Sequence, residues 1–178
     1  MEGKVRLGAR PLLCPLPCVL ASSGEADGRR GFAAAAWTGV VNSEPPMVYV
    51  ALRPSRHTFG LVRETGAFGL NVPPAALVEK VMAAGSVSGR DGDKFERLGL
   101  TAFRGEATGT ALVAECLLNL ECRVVREVEL PTHTVFIGEV LECYADARAA
   151  EGGLPAAGEL LSWGGGEFLV ARALATGK

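Results

Sequence analysis

Cys116-Leu117-Leu118-Asn119-Leu120-Glu121-Cys122-Arg123-Val124-Val125-Arg126 carries the clearest periodic signal in this chain of 178 residues. Leu118, Leu120, Cys122 and Val124 alternate with Asn119, Glu121 and Arg123. Successive side chains of a strand point to opposite faces, so a period of two marks a half-buried strand. Thr134 to Tyr144 repeats the pattern, and Leu130-Pro131-Thr132-His133 makes the bend between the two. Two long strands joined by so short a loop are antiparallel.

Working upstream, Met47-Val48-Tyr49-Val50-Ala51-Leu52 is apolar, β-branched in part and bounded by Pro46 and Pro54, which reads as a buried strand. Phe68 to Val72 is a short strand stopped by Pro73-Pro74, and Cys18 to Ser22 is a first strand. The Gly24-Glu25-Ala26-Asp27-Gly28-Arg29-Arg30 cluster is a turn between strand candidates, as in a hairpin. Gly31 to Thr38 follows it and is so rich in alanine that propensity alone does not make it a strand. Helical spacing occurs over Thr58 to Glu64, with Thr58 as the cap, over Ala75 to Ala84, and over Asp93 to Leu98, with Asp93 as the cap. Gly164-Gly165-Gly166 is a turn before a last strand, Glu167 to Ala171. Many strands and a few short helices predict an α+β, mainly β, barrel-like domain in place of a doubly wound one.

The length suits one substantial core, so residues 1–178 are expected to form a single domain. Hydrophobic residues make up 48% and aromatics only 6%, an aliphatic excess that points to surface buried against another subunit. A net charge of −2 gives no reason to expect nucleic acid or an acidic membrane as partner. Five cysteines, an odd number without a CxxC pair, argue for reduced thiols in a cytoplasmic compartment. Arg6, Arg10 and the apolar run from Pro11 to Ala21 imitate a short signal peptide, but Pro11, Pro15 and Pro17 would break its helix. That stretch is expected to be a lead-in loop and a first strand.

Familiar chemistries are missing. Gly85-Ser86-Val87-Ser88-Gly89 puts valine where a serine hydrolase needs its nucleophile. Gly164-Gly165-Gly166 is not a dinucleotide fingerprint, and Asp91-Gly92-Asp93 lacks the rest of a calcium loop. The two histidines and the pair Cys14 and Cys18 show no zinc spacing.

What remains is a series of blocks: Gly31-Phe32-Ala33-Ala34-Ala35-Ala36-Trp37-Thr38-Gly39, Arg53-Pro54-Ser55-Arg56-His57-Thr58, Phe68-Gly69-Leu70-Asn71-Val72-Pro73 and Ser88-Gly89-Arg90-Asp91-Gly92-Asp93-Lys94-Phe95. In this order they resemble the flavin reductase-like, FMN-binding split-barrel family, especially its flavoredoxin branch. The resemblance implies a split β-barrel of antiparallel strands, a homodimer with flavin near the subunit interface, and hydride transfer from NAD(P)H to flavin. An FMN electron carrier without NAD(P)H activity, and a barrel that has lost flavin and serves as a binding module, are the alternatives.

FMN presents a phosphate, a polyol and a flat ring. A phosphate calls for cations, hydroxyls and backbone N–H groups, and Arg53, Ser55, Arg56, Thr58, Ser88, Arg90 and Lys94 are the candidates here. An exposed arginine or lysine is ordinarily just solvated; the resemblance gives Thr58 and Lys94 a binding role. A flat ring calls for close backbone approach, which the small side chains of Ala33, Ala34, Ala35 and Ala36 permit. Trp37, His133 and Phe168 complete the ring candidates by resemblance, and Asn71 is included from its block. Where related chains carry Asn six residues before the Trp, this one has Gly31, the one clear departure. The implied chemistry belongs to the flavin, so no catalytic side chain is required.

Overall fold

A computed structural model of the chain describes residues 3–147 and 160–170. The polypeptide enters through the short strand β1 (Leu16–Pro17) and continues into β2 (Val19–Gly24). All of β2 is buried because both its faces are covered. Leu20 packs with Phe32, Val81 and Phe95 in one core cluster, while Val19 and Ala21 pack with Val50, Phe59, Phe68 and Phe136 in the other. A strand covered on both sides shows no polar alternation, which is why this segment reads as a small, apolar run.

The expected hairpin forms: β2 pairs antiparallel with β3 (Arg30–Ala35), from Val19 opposite Ala35 to Gly24 opposite Arg30. Gly24 has a positive φ of 93°, and a Cβ there would meet the Arg29 carbonyl at 2.1 Å. The alanine-rich stretch is therefore a strand after all, held by a neighbouring strand that overrides weak propensity. β4 (Thr38–Ser43) and β5 (Pro46–Leu52) follow, then helix α1 (His57–Thr65), which ends at Gly66 in the left-handed conformation. Thr58 is not the cap of α1. Extended Arg56 occupies that position without a side-chain cap bond, so Thr58 falls inside the first turn and is buried.

β6 (Ala67–Val72) leads to a 3₁₀ turn at Ala75–Leu77 and α2 (Val78–Ser86), dividing the single helix expected there. α3 (Lys94–Leu98) is capped as the sequence predicts, Asp93 Oδ1 accepting from the Phe95 N–H at 2.8 Å. The hairpin β7 (Ala102–Arg104) and β8 (Ala111–Val113) precedes the long pair β9 (Leu118–Glu129) and β10 (Thr134–Ala145). β11 (Leu161–Trp163) and β12 (Phe168–Val170) close the described chain; Ala171 of the expected last strand lies outside the described residues.

Seven strands form one antiparallel sheet in the order β3-β2-β6-β9-β10-β5-β4. β3 and β4 are opposite edges of that sheet, yet only Ala36 and Trp37 separate them in sequence. The sheet must curl until its edges meet at these two residues, and the Trp37 carbonyl there accepts from the Ala51 N–H of β5 at 2.9 Å. Phe59 and Val62 of α1 pack into the core inside the curl. The result is the expected mainly β, antiparallel split barrel.

One expectation fails inside the long pair. The polar face of β9 is solvated only from Arg123 onward: Asn119 and Glu121 at its start are buried. The turn between β7 and β8 lies against them, and Glu121 accepts from the Ala107 and Thr108 N–H groups, the Thr108 hydroxyl and the Tyr144 hydroxyl at 2.5–3.0 Å.

Candidate functional site

The closure of the barrel leaves a groove whose floor is the end of β3. A cavity of about 240 Å³ is lined by Ala33 to Trp37, Ala51, Leu52, Arg53, Arg56 and His133. Beside it lies a recess of about 80 Å³ bounded by Ala33, Ser55, Arg56, His57, Thr58, Ser86 to Gly89 and Lys94. A wider cleft of about 690 Å³ continues past Ala34 to Ala36 toward Met82, Trp163 and Phe168. Arg56 borders all three, so they are parts of one groove.

The recess carries four hydroxyl side chains and two cationic ones, and among the described residues no carboxylate lines it. Lys94 is buried at its wall, its Nζ donating to the Phe32 carbonyl at 3.0 Å and the Ala84 carbonyl at 2.8 Å. An ammonium has three protons, so one remains for a ligand. Burial first, then Arg56 and Arg97, push the Lys94 pKa down to about 8. Arg56 is held in place by a bond to the Gly85 carbonyl at 3.1 Å. Neutral and cationic donors without a competing carboxylate are the donor set that an oxyanion such as phosphate requires.

The larger cavity has a different character. Trp37 and His133 stack with ring centroids 4.4 Å apart and planes tilted by 39°. Trp37 is 40% exposed, so this tryptophan is not core. The Thr132 hydroxyl lies 2.9 Å from His133 Nδ1, and burial, followed by Arg53, lowers the His133 pKa. Opposite, alanines 33–36 offer backbone with little side chain in the way. Phe168 packs edge-on against Trp163 at 5.2 Å across the wider cleft. A flat, partly polar ring suits such walls.

Most of the residues singled out from the sequence thus meet around one groove. Arg90 sits at its edge: its N–H donates to the Ser88 hydroxyl at 3.2 Å, but its side chain does not line the recess. Asn71 is a correction. It lies fully buried in the sheet, its Nδ2 donating to the Leu20 carbonyl and the Ser22 hydroxyl, its Oδ1 accepting from the Val113 N–H and Asn119 Nδ2. Its hydrogen-bonding capacity is spent on tying β6 to β2, β8 and β9. His57, inside the Arg56-His57-Thr58 block but not among the candidates, lines the recess with a solvent-shielded Nδ1 that has no hydrogen-bond partner among the described residues. That block was its only sequence signal.

The model of the flavin reductase-like domain matches residues 12–167. The chain belongs to the flavin reductase-like family. The match spans the groove residues from Ala33 to Glu167 and ends one position before Phe168. Among solved structures, a flavoredoxin of Desulfovibrio vulgaris (Miyazaki F) superimposes with a TM-score of 0.89 at 32% identity, over 98% of this chain and 96% of that one. An uncharacterised protein of Archaeoglobus fulgidus is 40% identical over 105 residues, 59% of this chain and 59% of that relative's length. A ferric-chelate reductase (NAD(P)H) from the same organism is 29% identical over 121 residues, 67% of this chain and 70% of that relative. Among the described residues, no helix is long and apolar enough to cross a membrane.

Proposed function

We propose that the groove binds FMN and that this flavin reductase-like chain is an oxidoreductase moving a hydride from NAD(P)H to flavin. The observation that carries the reading is the continuity, at Arg56, of a carboxylate-free recess rich in donors with a cavity walled by stacked Trp37 and His133 and by alanine backbone. Ser55, Arg56, Thr58, Ser88 and the third proton of Lys94 would hold the phosphate, with Arg53 and Arg90 adding positive potential at the rim. Alanines 33–36, Trp37, His133 and Phe168 would border the ring. The bound flavin supplies the redox chemistry, accepting a hydride and passing electrons on. The chain's own task is to bind, orient and shield it.

The chain is proposed to form one domain and to work as a cytoplasmic homodimer. Its cysteines are free thiols, which fits a reducing compartment. On edge strand β4, Val40 and Val41 are exposed, as are Leu12 and Leu13 of the arm that packs near Trp37 and Tyr49. An apolar band along an exposed strand edge is a natural subunit contact.

The visible spectrum of the purified protein, followed by titration with FMN and riboflavin, tests the cofactor. Flavin absorbance, or binding of FMN in preference to riboflavin, is expected; failure to bind either flavin would sink the reading. The likeness to a flavoredoxin favours a second reading, an FMN electron carrier that does not use NAD(P)H. Oxidation of NADH or NADPH with added FMN decides between the two. Sedimentation at micromolar concentration should give a dimer, and a tightly flavin-binding monomer would refute that assembly.

A further inference from the structure

His57 is wedged between two glycines. A Cβ added at Gly31 would lie 3.0 Å from its Nδ1, and one at Gly89 would lie 2.6 Å from the same atom. The imidazole therefore rests on bare backbone on both sides, from β3 and from the loop after α2. Its Nδ1 is shielded from solvent and has no partner among the described residues. A neutral imidazole has one donor and one acceptor nitrogen, and an imidazolium has two donors. Whatever its state, Nδ1 is an unmet polar atom, and buried polar atoms are rarely left so.

The charges around it come from every element packed against it. Arg56 precedes it and Glu64 lies on its own helix; Arg29 belongs to the β2–β3 turn, Arg90 to the loop after α2, and Lys94 to α3. Arg29 and Glu64 pair with each other at 3.1 Å, leaving the field at the recess cationic. Burial first, then Arg29, Arg90 and Lys94, against Glu64, hold the His57 pKa below the usual histidine range. A dianion in the recess reverses that field.

We propose that His57 is a phosphate-recognition residue, its Nδ1–H donating to a phosphate monoester dianion in the recess while the ring takes up a proton from solvent as the ligand enters. Two of the recess donors, Lys94 and Arg56, are permanent or near-permanent cations; His57 adds one that charges only when the anion arrives. Gly31 then has a reason: a side chain there would push the imidazole off its seat. The inference deepens the FMN reading and rests on it for the ligand's identity, whereas the chemical class, a phosphate dianion, follows from the recess itself.

The chain has two histidines, so its imidazole NMR spectrum holds two Hε1 signals, and His57→Asn assigns one of them by its loss. Titrations of ligand-free protein, and of protein saturated with FMN, riboflavin or inorganic phosphate, read the His57 midpoint directly. It is expected to move up by about 1–2 pH units with FMN and with phosphate, and to stay in place with riboflavin. Flavin binding that leaves the His57 midpoint unmoved by FMN and phosphate overturns the inference while the flavin reading stands. Absence of flavin binding with a shift on phosphate does the reverse, and absence of both removes both. As a second measure, the FMN-over-riboflavin preference of the parent should fall about tenfold more between pH 6 and pH 8 than that of His57→Asn, whose amide can donate without titrating. The phosphate's own ionisation near pH ~6 is common to both proteins and cancels. Identical pH profiles would overturn the proton uptake.

Discussion

Glu121 and His57 are both pressed against glycine backbone, yet what meets their polar atoms differs. A Cβ at Gly105 would come within 2.4 Å of the Glu121 carboxylate, as one at Gly31 or Gly89 would crowd His57 Nδ1. Glu121 nonetheless has four donors from the β7–β8 turn and Tyr144, and His57 Nδ1 has none. A buried charge with every lone pair met is a structural clasp, fixing a turn to a strand. A shielded polar atom with nothing to meet it, at the wall of a donor-rich recess, is what a binding site looks like before its ligand is present. The same contrast separates Asn71, whose amide is fully used inside the sheet, from Lys94, which has one proton to spare.

The largest effect should come from breaking the clasp. Glu121→Ala leaves the Ala107 and Thr108 donors and the Tyr144 hydroxyl without their acceptor, and is expected to cost about 3–5 kcal/mol in urea unfolding without changing flavin affinity. Its pH signature has a definite sign. Burial alone would raise the Glu121 pKa, but the bonds from Thr108, Ala107 and Tyr144 together hold it below the usual carboxylate range. Its stabilisation is therefore complete above the unfolded-state pKa and is lost as pH falls through the folded one. Glu121→Gln should flatten that acid limb; an unchanged limb would show that the clasp does not titrate with folding.

Lys94 tests the other side. By resemblance Lys94 holds a phosphate, and from the sequence its removal is expected to loosen FMN while leaving melting nearly unaltered. The structure corrects this, because Lys94→Ala strands the Phe32 and Ala84 carbonyls and should lower stability by about 1–3 kcal/mol. Lys94→Met keeps the buried stem and isolates the charge, and FMN affinity should then fall about ten- to a hundredfold. With a ligand-free pKa of about 8, parent affinity should decline as pH rises above that value, since the uncharged amine must recapture a proton on binding. A parent profile as flat there as that of Lys94→Met would remove Lys94 from the phosphate role.

Gly31→Asn gives a smaller, more pointed test. Placing there the amide that the family resemblance implies looks favourable from sequence, but its Cβ would crowd His57 Nδ1 at 3.0 Å and Leu61 Cδ1 at 3.4 Å. Alone it should weaken FMN binding, and in the already weaker His57→Ser background it should cost less, giving a coupling of about 1 kcal/mol in a double-mutant cycle. Additive effects would mean that the two positions are independent. The smallest change expected is in the stability of Trp37→Ala. This ring is partly exposed and packs on His133, so unfolding free energy should shift by less than about 1 kcal/mol while flavin affinity drops severalfold. Loss of the fold would return Trp37 to the core.

The long antiparallel pair was legible because alternation over many residues leaves no other regular structure, and Asp93 as a cap was legible because its partner lies two residues away. Thr58 misled because cap position is set by the backbone two residues earlier, where Arg56 is extended. Asn71 misled because an amide in a family block looks the same whether its partners are a ligand or, as here, Leu20, Ser22, Val113 and Asn119. His57 was passed over because its isolation depends on two glycines, one of them 26 and the other 32 residues away along the chain.

The sequence by itself determined the strands, their local turns, the family resemblance and the residue types able to grip a phosphate or border a ring, because these rest on neighbours within a few positions. Only the tertiary structure decided that the sheet closes on itself at Ala36 and Trp37, that Asn119 and Glu121 of β9 are covered, and which polar atoms are satisfied. Closure joins edges that are far apart in the sheet, and satisfaction depends on partners brought together by that closure. Spacing along a chain records neither.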